Sequence, residues 1–113
     1  MSEGIEAYEA TCRAPVVRQL LGGMPADVPA RYADSSAARL LPLGVRQIMI
    51  WGSGETYVPR NQAENYVTAA RRAGDDARLI IVPGVGHFET ASPRSTAWPT
   101  VLGSIEGLVA KVR

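Results

Sequence analysis

Two short apolar runs, Ile48-Met49-Ile50 and Leu79-Ile80-Ile81-Val82, constrain the fold of this chain more than any other feature. Both are rich in β-branched residues, both run into a glycine-containing loop, and a stretch with helical spacing lies between them. Gln47 to Trp51 reads as one strand, ended by Gly52 and Gly54, and Arg78 to Val82 reads as the second. From Pro59 or Arg60 to about Ala73 the apolar positions Ala63, Tyr66, Val67 and Ala70 recur with helical period, and Gly74 stands where a left-handed cap belongs. Trp98 to about Lys111 reads as a last helix. Pro99 falls in its first turn, and Val101, Leu102, Ile105, Leu108, Val109 and Val112 form its expected buried stripe. Strand, helix, strand and helix in this order predict a right-handed parallel βαβ unit with one more helix, an α/β class.

Residues 1–44 are less periodic and rich in Ala, Pro and Gly, which predicts a helical and irregular segment ahead of the unit at 45–113. Pro15 to Leu21, followed by Gly22-Gly23, fits a short helix with proline near its start and glycine past its end. Pro25 to Tyr32 fits another turn or two. Asp34-Ser35-Ser36 offers a cap for Ala37 to Leu41 before Pro42 breaks the helix. At 113 residues the whole is expected to be a single domain. Two parallel strands leave both sheet edges open. Either the N-terminal segment covers the sheet or a second copy extends it, and a homodimer through the exposed edge or the N-terminal helices is the expectation.

Composition removes several classes of function. Twelve Lys+Arg against eleven Asp+Glu give a net charge of +1 with no basic run, so a nucleic-acid partner is not expected. Cys12 is the only cysteine, which excludes an internal disulfide and a Cys/His zinc finger. No apolar run is long enough to span a membrane. Met1-Ser2-Glu3-Gly4 lacks the features of a signal peptide. A cytoplasmic protein with no membrane partner is the expectation.

The chemistry lies in the loops that follow the two strands, where open α/β sheets place their sites. The first, Trp51-Gly52-Ser53-Gly54-Glu55-Thr56-Tyr57-Val58-Pro59, offers a carboxylate. The second, Pro83-Gly84-Val85-Gly86-His87-Phe88, offers the only histidine. These runs resemble the C-terminal portion of the α/β-hydrolase fold, in particular its esterase and prolyl-oligopeptidase-like branch. In that family the strand before the acid ends in a His-Gly-x-x-Asp-x-x-Val-Pro type pattern, and the histidine sits in a Gly-x-x-His-Phe run. The resemblance extends over roughly Ala14 to the C-terminus and includes Arg39 to Leu43, Ser92-Pro93-Arg94 and Ala97-Trp98-Pro99. It implies that Glu55 holds the position of the catalytic acid and His87 that of the general base. One departure is large: none of Ser2, Ser35, Ser36, Ser53, Ser92, Ser95 or Ser104 has glycines two before and two after, so the Gly-x-Ser-x-Gly elbow is missing. The oxyanion donors of the family have no counterpart either.

Three readings follow. The first is a small hydrolase of activated esters, carboxylic or phosphate, using the His87/Glu55 pair with water, Ser53 or Cys12 as the attacking group. The second adds a divalent metal such as zinc, held by His87, Glu55 and Glu89, whose bound hydroxide replaces the serine. The third is a non-catalytic half-domain that self-associates or complements a chain bearing the serine. Trp51, Tyr57 and Phe88 are expected to shape an apolar pocket or interface.

Overall fold

The computed structural model describes residues 2–111, so Val112 of the expected stripe lies outside the described residues. The chain groups into two compact units that divide between Leu41 and Pro42.

The N-terminal unit is helical: α1 Ser2–Cys12, α2 Val16–Leu21, α3 Pro29–Ser35, and a 3-10 turn at Ala37–Leu40. Helix α1 is not marked by any strong sequence periodicity. It is tied to α2 by Glu9, 4% exposed, whose carboxylate accepts from the Arg18 backbone N at 2.9 Å and the Arg18 guanidinium at 2.6 Å. Helix α2 ends as expected at Gly22, in the left-handed region with φ 90°. Helix α3 starts later than the sequence suggests. Pro29 takes its first turn, and the preceding Met24–Asp27 segment is folded into a turn by the Asp27 carboxylate on the Met24 N–H. Asp34 and Ser35 fall inside α3 and cap nothing: Ser35 Oγ bonds back to the Arg31 carbonyl, and the 3-10 turn has no side-chain cap.

The C-terminal unit carries β1 Gln47–Gly52, α4 Arg60–Arg72, β2 Ala77–Val82, a 3-10 turn at Glu89–Ala91 and α5 Trp98–Ala110. The two strands are parallel neighbours, with Gln47 opposite Ala77 and Gly52 opposite Val82. This is a small α/β arrangement with a sheet of two strands. Side chains alternate across it. Tyr66 of α4 donates its hydroxyl to Gln47 Oε1 on one face, while Ile50, Ile80 and Val82 meet Ala97 on the other, so α4 and α5 take opposite sides. Helix α4 buries Ala63, Val67 and Ala70 of the four positions its spacing picks out and leaves Tyr66 half-buried, and Gly74 follows its end with φ 101°.

Helix α5 departs from expectation. None of its residues is buried, and Leu102, Ile105 and Val109 are 43–49% exposed. The face turned to the strands is instead Thr100, Gly103, Ser104, Gly107 and Leu108. Apolar period alone selects the bulkiest stripe, whereas a two-strand sheet covers only one side of a helix that is apolar nearly all round. The same narrowness leaves Gln47 to Trp51 only half-buried.

One feature of the hinge into β1 has no sequence signature. Asp75, 8% exposed, accepts from the Leu43 N–H at 2.7 Å, the Gly44 N–H at 2.9 Å and Gln47 Nε2 at 3.0 Å. A carboxylate after α4 thus fixes where β1 begins. Among the described residues no helix is long and apolar enough to cross a membrane.

Candidate active site at the strand exits

Both candidate residues sit just past the carboxyl ends of paired parallel strands, so the register itself brings their loops together. What lets the loops touch is Gly52. A Cβ placed there would lie 2.0 Å from the Val85 carbonyl oxygen and 2.6 Å from its carbon. With no side chain in the way, the second loop crosses directly over the end of β1. Gly54 N then donates to Val85 O at 2.8 Å, and Ser53 Oγ accepts from Gly84 N at 2.8 Å. Val85, 1% exposed, is pinned under the crossing in a small core with Val82 and Ala97.

This clamp sets His87 against Glu55. The distance from His87 Nδ1 to Glu55 Oε2 is 2.5 Å. The other carboxylate oxygen is also engaged: Oε1 accepts from the Tyr57 N–H at 2.6 Å and the Val58 N–H at 3.1 Å. The Glu55 side chain is 8% exposed and that of His87 28%. Burial pushes the Glu55 carboxyl pKa up, but the hydrogen bonds from His87, Val58 and Tyr57 and the nearby imidazole charge reverse that push. The net result holds it below the ordinary carboxylate value. An ionised carboxylate accepts only, so Nδ1 carries a hydrogen in either ring state, and whenever the ring is neutral its lone pair is on Nε2. Nε2 has no hydrogen-bond partner among the described residues. The extra methylene of glutamate is absorbed by the turn, since the carboxylate folds back on its own following N–H groups.

Two rings frame the imidazole. Tyr57 lies 4.6 Å from it, centroid to centroid, and Phe88 lies 4.9 Å away edge-on. Phe88 is 67% exposed, so it forms an apolar shoulder open to solvent beside His87. Trp51 takes no part in this cluster; its indole N–H is buried without a partner among the described residues.

The remaining candidates are placed differently. Ser53 shares the loop with Glu55, but its hydroxyl oxygen accepts from the Gly84 N–H and it makes no hydrogen bond to His87. Glu89 accepts from the Gly86 N–H at 3.1 Å, bracing the histidine loop. His87, Glu55 and Glu89 are not assembled as a ligand set: among the described residues no three His, Cys, Asp or Glu side chains converge to hold a metal ion. Both oxygens of Glu55 and the Nδ1 of His87 are already spent on each other and on backbone. Cys12 belongs to the N-terminal unit, half-buried as a free thiol.

Sequence reasoning names the pair but misses its support. The Tyr57 and Val58 N–H groups and the oxygen of Ser53 act through geometry that residue type does not encode. Gly52 was legible as a strand end and not as the close-approach point. No protein-family model, no curated protein and no solved structure matches this chain.

Proposed function

We propose that the C-terminal unit is an α/β-hydrolase-like βαβα piece that hydrolyses activated esters by general-base catalysis, with water as the attacking group. The observation that carries this reading is the 2.5 Å contact between His87 Nδ1 and a carboxylate whose second oxygen is held by two backbone N–H groups. Such a carboxylate fixes the tautomer and stabilises the imidazolium that forms when Nε2 takes a proton from water. Water then adds to the ester carbonyl, the tetrahedral intermediate expels the alkoxide or phenoxide, and the proton held on Nε2 returns to the leaving oxygen. Phe88 and Tyr57 supply apolar surface for the acyl or aryl group. Water is preferred to Ser53 because the Ser53 hydroxyl makes no hydrogen bond to His87 and accepts instead from the Gly84 N–H. Without a dedicated oxyanion site the acceleration rests on the base, a factor of about 10²–10⁴.

The test is hydrolysis of p-nitrophenyl acetate by wild type, His87→Ala, Glu55→Ala and chelator-treated protein. Wild-type and chelated samples should share one rate, with His87→Ala lower by about 100-fold or more and Glu55→Ala also reduced. Four equal rates refute the proposal. A loss with chelator selects the metal-dependent reading.

A second reading, self-association as a homodimer, is favoured by the exposed apolar row Leu102, Ile105 and Val109 and by a sheet with two open edges. A sedimentation mass that stays at the monomer value across micromolar concentrations sinks it.

A further inference from the structure

Helix α5 stands off from the strands and leaves a gap lined on its side by Thr100, Gly103, Ser104, Gly107 and Leu108. Between the strands and the helix runs a groove of about 300 Å³, floored by Ile48 and Ile80 and walled by Gly103, Gly107 and Leu108. Protein interiors close such spaces because unfilled volume forfeits dispersion contacts on every lining atom. Here Leu102, Ile105 and Val109 of α5 stay exposed instead, and Leu108 alone of its large aliphatic residues lines the groove. Gly103 and Gly107 are exposed, and a Cβ added at either would meet no heavy atom within 4 Å, so the groove is open to solvent on the helix side. The volume lies at the lower end of the range for small-ligand sites.

The groove has a charged end. Arg46 precedes β1, Arg78 opens β2 opposite Ile48, and Lys111 follows α5; all three line the same end of the groove. Arg46 is committed to Asp76 at 2.7 Å. The side chains of Arg78 and Lys111 make no ion pair or hydrogen bond among the described residues, and both residues are exposed. The carbonyls at the end of α5 work against an anion there, while Arg78, Lys111 and the partly neutralised Arg46 work for one. The floor beyond is aliphatic. Thr100 and Ser104 add little polarity, since Ser104 Oγ is turned onto the Thr100 carbonyl.

We infer that this groove binds a medium-chain alkyl carboxylate, its head between Arg78 and Lys111 and its chain along Ile48, Ile80 and Leu108. From Thr100 to Leu108 the helix wall is about 12 Å long, which suits roughly eight to ten carbons in extended form. The site's charged end sits at the amino ends of the strands, away from the His87 loop, and the Val82, Val85 and Ala97 core, against which Ile80 packs, lies between the two. It is therefore independent of the proposed hydrolysis.

Decanoate is the probe, added below its micellar concentration to full-length wild-type protein and followed by titration calorimetry and by amide shifts. Saturable binding is expected, with shifts at Ile48, Ile80 and 100–108 rather than at His87. Gly103→Leu fills the groove while raising helix propensity, so it should keep or raise Tm and weaken binding at least tenfold. The double variant Arg78→Gln/Lys111→Gln should weaken decanoate severalfold and leave decanol unchanged. Non-saturating binding, shifts confined to the His87 loop, or undiminished affinity in a folded Gly103→Leu each overturn the inference. So does affinity that falls as protein concentration rises, because a second copy would then be the occupant.

Discussion

Replacing Gly52 by alanine should dismantle the site through backbone contact alone. The added methyl would stand 2.0 Å from the Val85 carbonyl oxygen, and contacts under 3.0 Å are essentially never seen for a Cβ. The obstructing atoms are backbone, so no rotamer change relieves them, and the second loop must retreat by about 1 Å or β1 must bend. A shift of that size breaks the Gly54 N to Val85 O bond, worth about 1 kcal/mol, and loosens the buried Val85 side chain. With overpacking strain of about 1–3 kcal/mol the total loss is about 2–4 kcal/mol. Gly103→Ala is the control: it sits mid-helix with no atom within 4 Å of the new Cβ, so it should be neutral or stabilise by about 0.5–1 kcal/mol. Urea unfolding gives both numbers. Because the chain has one histidine, its imidazole N–H resonance reports the Glu55 contact without ambiguity. Gly52→Ala should lose the downfield Nδ1–H signal. If it unfolds at the wild-type midpoint and keeps that signal, the claim that a missing side chain assembles the site is wrong.

Other consequences can be measured in the same way. Asp75→Ala removes an acceptor shared by two N–H groups and an amide, and should cost about 3 kcal/mol in urea unfolding, with the β1 amides exchanging faster; an unchanged midpoint would deny its role at the hinge. Glu55 has a folded pKa below its unfolded value, so between the two the unfolded chain binds more protons and stability rises with pH. That contribution is complete above about pH 4.3 and fades as pH falls through the lower folded value, so acid unfolding of Glu55→Gln should be less steep than that of wild type. Equal steepness would contradict the depressed pKa. Ser53→Ala should lower stability by about 0.5–1.5 kcal/mol through the loss of the Gly84 bond, and leave ester hydrolysis within about twofold. A collapse in rate would make Ser53 the nucleophile.

Much of this molecule is written locally. The β-branched runs with their terminal glycines fix two strands, and the spacing of Ala63, Val67 and Ala70 fixes the helix between them, because both periodicities are properties of neighbouring residues. The order of those elements already implies parallel pairing and places Glu55 and His87 at the same end of the sheet. Which face α5 presents, by contrast, was settled by how much sheet exists to receive it: with two strands, Gly103 and Gly107 line an open groove and Leu102, Ile105 and Val109 remain in solvent. The same holds for Asp75 on the 43–44 backbone and for Val85 over Gly52. These contacts join segments about 30 residues apart through backbone atoms that every residue possesses, so no residue type announces them.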